Sequence, residues 1–201
     1  ITSNLKAAVT VNTDFAQTEV DQQEINLTRF SLFYPEKRDI FLDGANYFTF
    51  GINGDRENQW NTKMIPFFSR RIGLDMDGNP IPVQVGGKVT GQAGQWNLGA
   101  MYMKDKRNGW KNGNFAVTRL TRNIGEQSQI GMISTYGNAL NDTSNFVLGL
   151  DLKLATSKFN GDKNLSFTMY GIKSVSGTET SGSSRDMSYG AEIVYPNDRL
   201  S

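Results

Sequence analysis

The stretch Asp75-Met76-Asp77-Gly78-Asn79-Pro80 opens like a calcium loop. An EF-hand loop needs glycine at its sixth position for the sharp turn and a bidentate glutamate at its twelfth to close the coordination shell. Counted from Asp75, those places hold Pro80 and Gly86, so no metal site is expected and a β-turn at Asp77-Gly78 accounts for the stretch. Asp14, Glu19, Asp21 and Glu24 form an acidic cluster. Paired carboxylates do acid–base work only at a fixed separation. Nothing here fixes one, and an acidic face paired with Arg29, Lys37 and Arg38 is the simpler expectation. In "FFSRRIG", Arg70 and Arg71 stand beside two phenylalanines. Adjacent guanidiniums can line a constriction or grip an anion. They can equally pair with acids of 14–43, Glu36 among them, and hold that stretch in place.

What is missing narrows the chemistry further. The 201 residues contain no histidine and no cysteine. That removes Ser-His-Asp catalysis, thiolate nucleophiles, and the common zinc and disulfide frameworks. An enzyme would need a carboxylate pair, and none is identifiable; no catalytic residue and no cofactor are expected. With 21 basic and 20 acidic residues the net charge is +1, which gives no reason to expect a nucleic-acid partner. Mean hydropathy is −0.46, and no apolar run approaches the ~18 residues of a membrane helix. Barrel strands, however, hide a lipid-facing surface in alternation, so a membrane is not excluded.

The elements that would position these residues are strands. In "FVLGLDLKLA", Phe146, Leu148, Leu150, Leu152 and Leu154 occupy every second position, with Asp151 and Lys153 between them. Period 2 puts the five large residues on one face and the two charges on the other. The large residues face either a soluble core or lipid; the charges face water or a wet lumen. "LKAAVTVNT" (5–13) alternates in the same way. Residues 14–80 do not: aromatics, acids and bases mix, with a short helix expected near 17–24. Excursions of this length are usually functional or packed inside something. From 81 to 196 about seven further antiparallel strands follow, with short turns at "GQAGQ" and "NIGEQ". Longer polar loops are expected at "KDKRNGWKNGN" (104–114), "NALNDTSN" and "SVSGTETSGSSRD" (174–186). Strands of about 8–11 residues with connections alternating between short and long describe an all-β, up-and-down transmembrane barrel better than a soluble sandwich.

Four segments carry a resemblance: "NTDFAQ" (12–17), "INLTRFSLFYPEKRDIFL" (25–42), "PFFSRRIGL" (66–74), and the "GGKVTG" strand with its "WNLG" partner (86–99). Over about residues 5–155 the chain resembles the large outer-membrane proteins of Gram-negative bacteria in which a sandwich similar to carbohydrate-binding family 9 precedes a C-terminal β-barrel domain of undefined function. The resemblance implies one β-barrel segment of a longer protein, with the sandwich upstream and more strands downstream. It carries over no catalytic residues.

The combined expectation is an outer-membrane barrel whose 14–80 excursion forms a plug or constriction. Phe146, Leu148, Leu150, Leu152 and Leu154 would face lipid. Arg29, Glu36, Lys37, Arg38, Arg70, Arg71, Asp151 and Lys153 would face the lumen. Such a barrel would pass or gate a small solute or glycan, or anchor surface proteins. The alternative is a soluble all-β carbohydrate-binding domain with its aromatics as a sugar platform.

Overall fold

In the computed structural model the described residues are 4–13, 36–52, 64–74, 80–107, 111–138, 144–178 and 182–195. Each alternating run becomes a strand: β1 (Leu5–Thr13), β2 (Val83–Ala93), β3 (Trp96–Arg107), β4 (Lys111–Ile124), β5 (Ser128–Tyr136), β6 (Ser144–Phe159), β7 (Lys163–Thr178) and β8 (Gly182–Val194). They form one antiparallel sheet in chain order, a simple meander with β1 and β8 at its edges. β1 pairs directly with β2, so the chain leaves the sheet at residue 13, makes its excursion, and returns beside its point of departure. No helix among the described residues is long and apolar enough to cross a membrane.

The strands are longer than the sequence pattern predicts, and the loops correspondingly shorter. Residues 104–107 and 111–114 continue β3 and β4, and their ladder runs out to the Arg107–Lys111 pair. The expected Gly/Ser/Thr loop at 174–186 is mostly strand, with Ser174 opposite Asp186 and Thr178 opposite Gly182. Alternation disappears in these polar ends, yet cross-strand hydrogen bonds sustain them, so a hydrophobic period alone misses them. Between β6 and β7 the chain reverses in three residues, where Asn160 (φ 46°) and Gly161 (φ 102°) adopt the left-handed conformations that Asn and Gly best tolerate. The helix expected near 17–24 and the turn at Asp77-Gly78 lie outside the described residues.

The two faces of the sheet are opposite in character. One carries large apolar side chains that are exposed on every strand: Val9, Val89, Tyr102, Ile130, Leu150, Met169 and Tyr189 are examples. Phe146, Leu148, Leu150 and Leu154 lie on it at 44–60% exposure, with Leu152 among them half-buried. The other face is covered over much of its width, and it holds the buried charges: Lys88, Asp105, Arg119 and Asp151. A soluble antiparallel sheet has the reverse arrangement.

The cover is the excursion itself. It contains helix α1 (Asp39–Leu42) and two 3-10 turns, Ala45–Phe48 and Ser69–Arg71. Phe41, Phe48, Phe50 and Ile72 join Val83, Met101, Met103, Phe115, Val117, Ile133 and Ile172 in one buried cluster. Residues 44–51 form a strap across the strands. Gly44 sits on Thr90 of β2, and Tyr47 and Phe48 sit on Gly99 of β3. Phe50 sits on Gly149 of β6, and Gly51 lies against Tyr170 of β7. A strap this close to the sheet needs small residues beneath its rings. A β-carbon at Gly149 would fall 2.6 Å from Phe50 Cζ.

G149V should therefore displace Phe50 and destabilise the strapped state by about 1–3 kcal/mol, the usual cost of overpacking. Thermal denaturation and limited proteolysis between residues 36 and 52 would register it. G87A, where an added β-carbon meets nothing within 4 Å, serves as the control and should change neither.

Candidate functional site

Three of the buried charges on the covered face, Lys88, Asp105 and Asp151, have a common role: they satisfy backbone groups of an irregular segment that has no ladder of its own. Buried N–H and C=O groups must find partners. Here the sheet's side chains supply them. Arg119 projects from the middle of β4 and passes over Gly131, where a β-carbon would stand 2.6 Å from its Nη1. It reaches Asp151 on β6 as a two-pronged pair, Nη1–Oδ1 2.5 Å and Nη2–Oδ2 2.7 Å. The side chains are 2% and 7% exposed. Asp151 Oδ2 also accepts the Gly51 N–H at 3.1 Å, and the guanidinium carbon lies 5.4 Å from the centre of the Phe50 ring. The ion pair thus sits directly beneath the far end of the strap.

Two further anchors follow the same logic. Lys88, from β2, donates its Nζ to the carbonyls of Ile40 (2.6 Å) and Asp43, at the end of α1, where carbonyls lack helical partners. Its Nζ is also 3.7 Å from the Asp43 carboxylate. Lys6 of β1 pairs with that carboxylate at 3.0 Å, and chiefly this bond holds Asp43 below its usual pKa. Asp105, from β3, is fully buried; it accepts the N–H of Gly73 at 3.3 Å and of Gly113 at 3.2 Å.

Within the excursion, Arg38 joins the two described pieces. It donates to Glu36 through Nε (2.7 Å) and Nη2 (2.8 Å), to the Ile72 carbonyl (2.5 Å) and to the Ser69 carbonyl (2.8 Å). Its guanidinium lies over the Phe41 ring at 4.2 Å. The Ser69 hydroxyl donates to Glu36 at 2.7 Å. Burial alone would raise the pKa of Glu36, but the hydrogen bonds from Arg38 and Ser69 and the Arg38 charge outweigh it and hold the carboxyl below 4.5.

The residues singled out from sequence are only partly brought together. Glu36 and Arg38 meet each other; Lys37 beside them is half-buried. Asp151 is buried with Arg119, whereas Lys153, on the same face, is exposed. On the 69–71 turn Arg70 is half-buried and Arg71 exposed, and among the described residues the buried cations of this interface are Arg38, Lys88 and Arg119. Arg29 and the acids at 14, 19, 21 and 24 lie outside the described residues. Lys88, Asp105 and Arg119 were not singled out from the sequence. The available signal is a charge at the covered-face position of a strand: Lys88 in "GGKVTG", and Arg119 sharing a face with Phe115 and Val117.

Removing the charge of Asp151 should strand Arg119 in the sheet. D151N is expected to cost about 3–5 kcal/mol in thermal or denaturant unfolding, and R119M/D151N should recover much of it, because breaking a buried pair costs more than replacing it. Acid should act through Glu36. Its folded pKa is lowered, so its contribution is present above its unfolded pKa and is lost as pH falls from 4.5 through the folded value. Proteolytic resistance of 36–74 should drop over that window, and E36Q, already weaker at neutral pH, should lose less on acidification than the parent chain.

Among known families, residues 1–86 match a model described as a domain of unknown function (DUF5916). That match covers β1, the excursion that carries the strap, and the opening of β2. Neither the curated proteins nor the solved structures include a match to this chain.

Proposed function

We propose that this chain is a section of an outer-membrane β-barrel of a Gram-negative bacterium, with its apolar face in lipid and its strapped face in the lumen, where it passes or gates a small hydrophilic solute. The observation that carries this reading is the shape of the apolar surface. The charges bounding it stand at opposite ends in different strands. Arg122 closes it on β4, stacked over Trp96 at 5.5 Å. Through the register, Arg122 stands level with Ile130, Leu152, Met169 and Ala191 of the following strands. Lys173 closes the surface on β7, level with Leu148, Ser134, Thr118 and Ala100. The uncharged band therefore runs diagonally across the strands. Strands tilted by about 35–45° through a flat apolar slab require that course.

The sheet edges support a larger barrel. Open edges are not tolerated in lipid, so β1 and β8 need partners there. Closing on each other would make an eight-stranded barrel, whose interior is only just filled by side chains and has no room for a strap. Further strands of the same protein resolve this conflict.

Spin labels test the orientation in reconstituted protein. Labels at Leu148, Leu150 and Ile193 should relax with oxygen, and a label at Lys153 with a water-soluble nickel complex. Equal access of both quenchers to both faces would sink the membrane reading. L150R, at the middle of the band, should cost about 2–4 kcal/mol of stability in lipid.

A further inference from the structure

The strap does not cover the lumenal face evenly. Its last contacts are Phe50 against Tyr170, ring centres 5.8 Å apart, and Gly51 against the same ring. On β2–β5 that face is buried and holds Met101, Met103, Phe115, Val117 and Ile133. Beyond Tyr170 its character changes. On the lumenal side β8 presents Ser184, Asp186, Ser188, Gly190 and Glu192, all exposed or half-buried, between Gly182 at one end and the exposed Val194 at the other. Register places these beside Ser176, Ser174, Ile172, Tyr170 and Thr168 of β7, and Lys153 of β6 is level with Thr168 and Glu192. Asn145 Nδ2 donates to the hydroxyls of Ser174 (2.9 Å) and Ser176 (2.8 Å), a polar link between β6 and β7 along this wall.

We infer that the solute path runs along β6–β8, between this polar wall and the flank that residues 44–51 leave uncovered among the described residues, while β2–β5 form the structural half against which the strap packs. The inference rests on the barrel reading above. Small hydroxyl-bearing side chains leave room for water and offer donors and acceptors without gripping a solute. Among the described residues the charges on the wall are Lys153, Asp186 and Glu192, two negative against one positive. The path therefore suits small hydrophilic solutes and favours cations over anions.

Because the chain contains no cysteine, it adds no background when single thiols are introduced into the intact protein. S174C and S188C should be modified by a charged, membrane-impermeant methanethiosulfonate about tenfold or more faster than V117C, which reacts only when the strap lifts. Modification with the cationic reagent should lower the KCl current through a planar bilayer at S174C and S188C. D186N/E192Q should shift the reversal potential in a KCl gradient toward anion preference. Slow modification at 174 and 188, modification without a change in current, or inserted protein that carries no current would each overturn the path and leave the barrel reading standing. L150C reacting with the aqueous reagent as fast as S188C would instead overturn the barrel reading itself.

Discussion

Arg119 and Asp151 form the interaction on which the inner architecture depends. Two ionised groups at the centre of a sheet are costly to bury, and only good geometry and additional hydrogen bonds offset that cost. Here the offset comes from three strands and the strap together. β4 supplies the guanidinium, β5 supplies a glycine for it to cross, β6 supplies the carboxylate, and the strap supplies the Gly51 N–H and the Phe50 ring. Each component is of little use without the others. A side chain at Gly131 would block the arginine, and without the strap the pair would be open to water on its covered side.

The same reciprocity governs the rest of the interface. An irregular segment brings unpaired backbone groups, and a sheet has already used its own. Only side chains can mediate, and they have to be ionised or long enough to reach. Lys88 meets carbonyls and Asp105 meets N–H groups, each matched in sign to what the segment presents at that point. These charges therefore identify a surface built to hold a piece of its own chain.

Much of this was legible in the sequence where the information is local. Alternation in residues 146–155 placed five apolar side chains on one face and Asp151 on the other, as found. The opening strand, 5–13, matches β1 end to end. The polar strand ends at 104–114 and 174–186 look like loops in sequence because their pairing rests on the neighbouring strand rather than on any periodicity of their own. The partner of Asp151 was out of reach for a different reason. Arg119 is 32 residues away and meets it diagonally across an intervening strand, a contact that only the sheet register defines. The strap's glycine seats are equally non-local: nothing around Gly149 in sequence announces a phenylalanine from position 50.

The two faces also constrain each other. If the apolar face sits in lipid, the sheet cannot stabilise itself by stacking that face against a second protein layer, and hydrophobic burial is available only on the strapped side. The buried cluster is built accordingly, with Phe41, Phe48, Phe50 and Ile72 of the excursion set against apolar residues of β2–β5 and β7. Those aromatic contacts fall on a face that also carries four buried charges, so the apolar cluster and the ionic anchors have to be assembled in the same step. A strap without its anchors would leave polar backbone against apolar side chains; anchors without the strap's rings would leave Arg119 and Lys88 solvated and mobile. The apolar contacts of the strap and its ionic anchors on β2–β6 therefore depend on each other. Beyond Tyr170 that face is mostly hydrophilic, with Ser184, Asp186, Ser188 and Glu192 on β8.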